Sequence, residues 1–333
     1  MLNVAIVGLG RWGRALVEAV QGKSDVMRFA CAATRRREQA AAYASLAGLE
    51  LKDSYEAVLS DPAVDAVVLA TPHLDHARQI EQAAAAGKHV FVEKPFTLTK
   101  ASAAAAVASV TKAGVTLGLG HNRRFHPHMT RLRAMVRAGE LGVVLHCHGV
   151  MSSSSSLFLS AGGWRTDPEQ SPAGGMTGLG IHLVDSMIDL FGEIDAVACQ
   201  SVNRAAPSGA QDSTSVLLRF RSGQTGSLLA FPATAPTYGF AVYGSTAVAT
   251  IETPSLDDFY FQPALTAPGQ QPAAATRETL TGFDTVRAEL EAFARAVQGE
   301  APYPISPAQM IHGVAVLEAI VAAAGQDRFV RVA

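Results

Sequence analysis

The stretch Val4-Ala5-Ile6-Val7-Gly8-Leu9-Gly10-Arg11-Trp12-Gly13 decides the fold. Apolar residues make a short strand, and glycines follow it in Gly-x-Gly-x-x-Gly spacing. From Trp12 to Gln21 the positions Trp12, Leu16, Ala19 and Val20 recur at helical spacing. Strand, glycine turn and helix together give the geometry that a dinucleotide pyrophosphate requires. Gly8 permits the tight turn, Gly10 lets the backbone approach the phosphates, and Gly13 lets the helix pack on the strand. The helix N-terminus then offers unpaired N–H groups and the positive end of its dipole to the anion.

Outward from this turn, short apolar runs alternate with helical stretches. Strands are expected at Asn3–Val7, Arg28–Ala33, Ala66–Ala70, His89–Val92 and Thr116–Leu119. Helices are expected at Gly13–Gln21, Arg37–Ala47, Asp75–Ala86 and Lys100–Ala113. The strands lack polar alternation, as when both faces of a parallel sheet are covered. The helices stop near Gly22, Gly48, Gly87 and Gly114, as glycine-capped helices do. Repeated βα units imply right-handed crossovers and a Rossmann-type, doubly wound parallel sheet in an α/β chain.

The pattern changes near residue 121. A helix is expected at Pro127–Ala138, stopping at Gly139, followed by strands at Val143–Met151, Ala196–Val202, Ser213–Phe220, Thr225–Phe231, Tyr238–Tyr243 and Ala247–Glu252. Ser222-Gly223 marks a hairpin. Ser152–Ser156 reads as a mobile polar loop, residues 263–276 as a Pro- and Gln-rich loop, and Asp284–Gln298 and Pro307–Ala324 as late helices. The expectation is a nucleotide-binding domain at 1–121 and an α+β domain at 122–333. The latter would carry a large, mostly antiparallel open sheet for substrate binding and oligomerisation. Open sheets are seldom left uncovered, so a homodimer or homotetramer paired through it is expected.

Composition bounds the function. The chain has 333 residues, 48% of them hydrophobic and 17% charged, which suits a well-buried enzyme rather than a disordered chain. With 27 basic and 29 acidic residues, net charge −2, no basic field favours nucleic acid. The longest nearly apolar stretch, Gly313–Ala324, is interrupted by Glu318 and too short to span a bilayer. Met1 runs straight into the first strand, and Cys31, Cys147 and Cys199 read as buried reduced thiols, so a cytoplasmic location is expected. His126-x-His128 and His146-x-His148 are not joined by further ligands, and no metal site is expected.

The second strand ends in Thr34-Arg35-Arg36-Arg37, with no acid until Glu38. A carboxylate there would bind the adenosine ribose of NAD; a hydroxyl followed by guanidiniums suits the 2′-phosphate of NADP. NADP is favoured, with NAD possible. Thr71-Pro72 follows the third strand, and His76 either faces the cofactor or merely begins the next helix.

Glu93-Lys94-Pro95 ends the fourth strand. A lysine held extended before a proline, beside a dinucleotide crevice, can bind a substrate oxygen and stabilise negative charge on it. Gly174 to Gly180 then reads as a glycine-rich turn leading into a helix with His182 near its N-terminus and Asp185 on the same face. Read alone, His182 fits a structural histidine as well as a proton-exchanging one.

These motifs, in this order, resemble the Gfo/Idh/MocA family (glucose–fructose oxidoreductase, inositol dehydrogenase) over nearly the full length. Asn122-Arg123-Arg124-Phe125, Trp164-Arg165 and Pro304-x-Ser306-Pro307 fit the same pattern. The resemblance implies hydride transfer with a sugar or polyol, Lys94 holding the reacting oxygen and His182 exchanging the proton. It implies Gly8, Gly10, Arg11, Trp12, Gly13, Thr34, Arg35, Arg36, Thr71, Pro72, His76, Glu93, Lys94 and Asn122 at the cofactor. Arg123, Trp164, Arg165 and Thr177 would line the substrate. The chain departs from the family in having Gly178 where many relatives carry an acid. That leaves a Lys94/His182 pair with Asp185 auxiliary, and Thr177 as the other polar substitute. A cofactor-retaining glycoside hydrolase and a catalytically silent nucleotide sensor are the alternative functions.

Overall fold

The computed structural model describes residues 1–333. In chain order the first elements are β1 (Leu2–Val7), α1 (Arg11–Val20), β2 (Met27–Ala33), α2 (Arg37–Leu46), β3 (Glu50–Leu51), α3 (Tyr55–Leu59), β4 (Ala66–Leu69), α4 (His76–Ala85), β5 (His89–Glu93), α5 (Lys100–Ala113) and β6 (Leu117–Gly120). Next come α6 (Pro127–Ala138), β7 (Val144–Ser152), α7 (Ile181–Phe191), β8 (Ile194–Val202), β9 (Ser213–Phe220), β10 (Thr225–Phe231), β11 (Thr237–Gly244) and β12 (Ala247–Glu252). The chain closes with β13 (Asp258–Pro263), β14 (Thr276–Thr279), α8 (Thr285–Val297), α9 (Pro307–Ala323) and β15 (Val330–Arg331).

The chain divides into two compact units, Met1–Asn122 with Asp284–Ile311, and Arg123–Phe283 with His312–Ala333. The expected boundary at 121/122 lies one residue from the observed one. Residues 284–311, however, belong to the first unit rather than the second. The reason is packing: Leu290, Phe293 and Ala294 of α8 are buried in the same core as Val4, Ile6 and Phe91.

The first unit holds a six-stranded parallel sheet in the order β3-β2-β1-β4-β5-β6. The order reverses beside β1, the switch point at which open α/β sheets bind ligands. Every residue of β4 is buried, which explains its unbroken apolar reading. The turn after β1 requires its glycines. Gly8 has φ +96°, and a Cβ on Gly13 would lie 2.0 Å from the Gly8 carbonyl oxygen. Helix α5 has the expected limits because Thr99 caps its start by accepting from Ser102 N–H and Gly114 closes it at φ +67°.

The second unit holds a nine-stranded sheet, β14-β13-β12-β11-β7-β10-β9-β8-β15. All its pairs are antiparallel except β7 with β10. One face meets α6, α7 and α9 through Leu132, Leu183, Met187, Leu317 and Ile320. Along β9, Thr214, Val216, Leu218 and Phe220 are buried while the intervening residues are not. Cys31, Cys147 and Cys199 are buried thiols.

Other expectations change. β3, α3, β13, β14 and β15 were not anticipated. The Ser152–Ser156 run is tied down rather than free: Ser153 N–H donates to Phe231 O, Ser156 N–H to Pro232 O and the Ser154 hydroxyl to Thr234 O. The glycine-rich segment before His182 is not a turn. Met176–Gly180 forms a π-helical turn, with Ile181 N–H reaching the Met176 carbonyl, and runs directly into α7. No helix is long and apolar enough to cross a membrane.

Candidate active site

The glycine turn opens onto a cleft of about 540 Å³ lined by Leu9, Gly10, Arg11, Arg14, Thr34 and Arg36, with Glu18 the only acid among its walls. Gly10 is informative because the protein does not need it. Its φ is −77°, and a Cβ there would meet no protein atom within 4 Å. A glycine there leaves the backbone open to close approach by a ligand. The residues present therefore fit a dinucleotide phosphate. Arg11 and Arg36 border the cleft without an ion-pair partner, whereas Arg14 stacks on Tyr43 and donates to Gln39 O. Arg35 is paired with Asp75, and Arg37 with Asp53. The three consecutive arginines are thus not equivalent.

At the carboxyl end of β5, Glu93 is buried, and its carboxyl is pushed up to about 7. Burial is the main cause; a Trp12 hydrogen bond, the Lys94 charge and the Lys94 N–H, 3.2 Å from Oε2, oppose it. A carboxyl held near neutrality competes less for the adjacent ammonium. The Lys94–Pro95 bond is cis. Thr71 and Pro72 follow β4, and the Thr71 hydroxyl donates to Gln79 Oε1 at 2.5 Å.

One expected cofactor contact is revised. His76 is completely buried, with Nδ1 2.9 Å from Pro95 O and Nε2 3.1 Å from Thr71 O. A ring with no exposed surface has nothing to offer a dinucleotide, so the helix-start reading prevails. The Asn122 side-chain amide donates to Thr285 Oγ1 at 2.7 Å, which ties it to α8.

In the second unit His182 and Asp185 lie on α7, both buried. Because the helical segment begins at Met176, His182 sits more than a turn inside it. The influence of the helix dipole fades by that depth. Asp185, expected to assist His182, is claimed by Arg124: Nε lies 3.0 Å from Oδ2 and Nη2 2.6 Å from Oδ1. Arg124 also donates to Asp189 Oδ1 at 3.2 Å, and Arg133 Nε to Asp189 Oδ2 at 2.6 Å. This network ties the face of α7 carrying His182 to α6 and the turn before it, and gives Asp185 a structural task. Sequence reasoning quoted Arg124 without assigning it a role and missed Asp189 and Arg133. Their spacing of 185 and 189 on one helix face was the available signal.

Arg123 lies over the Tyr238 ring at 4.8 Å and donates to Pro254 O, so Tyr238 is a further neighbour that sequence did not flag. Arg165 stacks on Trp164 at 4.1 Å, and buried Thr177 shares a 2.6 Å hydrogen bond with Ser171. His126 is packed against His128 and Phe283, and His146 and His148 hydrogen-bond Ser227.

The network predicts a stability result. Arg124→Met leaves two carboxylates buried without their common partner and should cost about 3–5 kcal/mol. A urea-unfolding midpoint for the second unit equal to that of the wild type would count against this.

Two family models match the chain. Residues 2–121 match the oxidoreductase family with NAD-binding Rossmann fold, GFO_IDH_MocA, and residues 129–250 match the GFO/IDH/MocA C-terminal domain. The D-xylose 1-dehydrogenase (NADP(+)) 2 of Haloferax volcanii is 30% identical over 306 residues, 91% of this chain and 90% of that one. The scyllo-inositol 2-dehydrogenase (NAD(+)) of Bacillus subtilis is 36% identical over 154 residues, 44% of each chain. The chain thus aligns with less than half the length of that relative and of a second Bacillus one, an uncharacterized oxidoreductase. A levoglucosan dehydrogenase structure in complex with NADH and L-sorbose shares the fold at TM-score 0.90, with 21% identity and coverage of 100% and 99%. Sheet order, glycine turn and these matches lead to one conclusion: the chain belongs to the Gfo/Idh/MocA oxidoreductase family.

Proposed function

We propose that the protein is an NADP(H)-dependent oxidoreductase that moves a hydride between nicotinamide and a sugar, polyol or related keto compound. The observation that carries the reading is the cleft at the glycine turn. There, Gly10 leaves room that no protein atom fills, and Arg11, Thr34 and Arg36 line the walls. The named activities of the Haloferax and Bacillus relatives support a sugar or polyol substrate.

When bound, the cofactor supplies hydride exchange at its ring C4. The ammonium of Lys94 binds the reacting oxygen and stabilises the negative charge that develops on it. His182 takes the hydroxyl proton on oxidation and returns it on reduction. Thr71, Pro72 and Trp12 contribute to the nicotinamide half, while Arg123, Trp164, Arg165 and Thr177 serve the substrate. The open face of the nine-stranded sheet, with Leu217 and Tyr243 exposed, is the pairing surface of a homodimer or homotetramer.

Lys94→Met should abolish turnover and leave nucleotide affinity, read by fluorescence titration, largely unchanged. Near wild-type turnover would remove the lysine from the chemistry. Arg36→Ala should weaken NADP about 10- to 100-fold, the worth of one charge-assisted hydrogen bond, and NAD far less. Equal weakening of both would mean that no 2′-phosphate is bound there. Light scattering should give at least twice the mass of one chain; a monomer at working concentration would refute pairing through the sheet.

A further inference from the structure

His76 is the first residue of α4. Its two ring nitrogens face the carbonyls of Pro95 and Thr71, which lie just beyond the ends of β5 and β4. Those strands are parallel neighbours, with Leu69 paired to Val92. The imidazole therefore bridges two adjacent loops at the carboxyl edge of the sheet, one residue past Lys94. Gln79, on the same face of α4, holds the Thr71 hydroxyl through Oε1, and its own carbonyl accepts from the Tyr55 hydroxyl at 2.7 Å. The start of α4 is thereby fastened to both strand ends.

We infer that His76 is a positioning residue for Lys94: by tying the Pro95 carbonyl to the strand end at Thr71, it sets the backbone from which the lysine projects. This rests on the role proposed for Lys94. A lysine side chain is long and flexible, so the placement of its ammonium depends on how firmly its Cα–Cβ bond is aimed. The peptide following Lys94 aims that bond, and the next carbonyl along the chain is the one the ring holds. Carbonyls only accept, so the bridge needs donors. A neutral imidazole brings one N–H, and an imidazolium brings two. A glutamine amide carries two N–H donors on one nitrogen and can restore the tie, whereas leucine fills the space without donating.

The test compares His76→Leu and His76→Gln in the full-length protein. Steady-state kinetics and NADPH affinity are measured together with the rate at which acetic anhydride acetylates Lys94, followed by peptide mass spectrometry. His76→Leu should lower kcat about 10- to 100-fold, as expected for a reacting group misplaced by about an ångström, with NADPH affinity largely retained. Its Lys94 acetylation rate should change. His76→Gln should recover most of kcat and the wild-type acetylation rate. Unchanged kcat in His76→Leu would overturn the inference. So would a loss of NADPH affinity as large as the loss of kcat, or a glutamine variant as impaired as the leucine one. Should His76→Leu not fold, His76→Gln alone decides: a low kcat with altered Lys94 acetylation refutes the rescue on which the inference depends. If Lys94→Met keeps full turnover, the reading of Lys94 falls instead, and acetylation still reports whether His76 positions that side chain.

Discussion

The contact between Gly13 and the carbonyl of Gly8 governs the first unit. With a hydrogen in place of a Cβ, α1 can lie against the end of β1; any larger residue would put an atom 2.0 Å from that oxygen. This closeness points the first N–H groups of α1 across the carboxyl edge of the sheet, where the strand order reverses beside β1. Gly8 faces a parallel restriction, because its own Cβ would lie 2.5 Å from Ala70 O, just beyond β4. The turn is therefore pinned from both sides by backbone, not by side chains that could repack. Of the three turn glycines only Gly10 has free space, which separates the two needed by the fold from the one that leaves room for a ligand.

In the second unit a buried charge network holds α7. Arg124 is among the largest fully buried side chains, and it is tolerated because two carboxylates on α7 meet its guanidinium. Arg133 adds a second cation on Asp189, so two positive and two negative groups balance. Buried ion pairs of this kind add little net stability over apolar packing, yet breaking one is costly. Such a set favours one rotation of α7 over others, because only one helix face carries Asp185 and Asp189. That same face carries His182.

Much of this was legible from the residues. Strands β9, β10 and β12 have their expected limits because one-sided burial writes alternation into the sequence. α6 was bounded by Pro127 and Gly139, residues that act locally. What could not be read depends on contacts distant in the chain. β14 is polar and wholly exposed, so it carries no pattern and exists only by pairing with β13. α8 looks like any amphipathic helix, and nothing local says that Phe293 enters the core built by β1 and β5. The run from Gly174 to Gly180 suggested a turn by composition. The glycine at 174 is instead set by packing, since it has φ +52° and a Cβ there would lie 2.0 Å from Gln211 O. For the candidate site, motifs pointed to Lys94 and the glycine turn, whereas the burial of His76 and the capture of Asp185 by Arg124, 61 residues away, are tertiary facts.

The arginine run shows how such facts refine a reading made from sequence. Arg35-Arg36-Arg37 was taken as one basic patch suited to a phosphate. Asp75, at the start of α4, and Asp53, after β3, each reach one member of the run. Each pair has one strongly exposed member, Arg35 or Asp53, and such bridges contribute little to stability, so their effect is on local potential rather than on folding. They leave Arg36 on the cleft wall together with Arg11 of the glycine turn. A 2′-phosphate placed there would meet two guanidiniums that have no ion-pair partner, and Glu18 is the one carboxylate on the cleft wall. The proposed preference for NADP thus rests on Arg11 and Arg36 rather than on the length of the run, since Asp75 already pairs with Arg35.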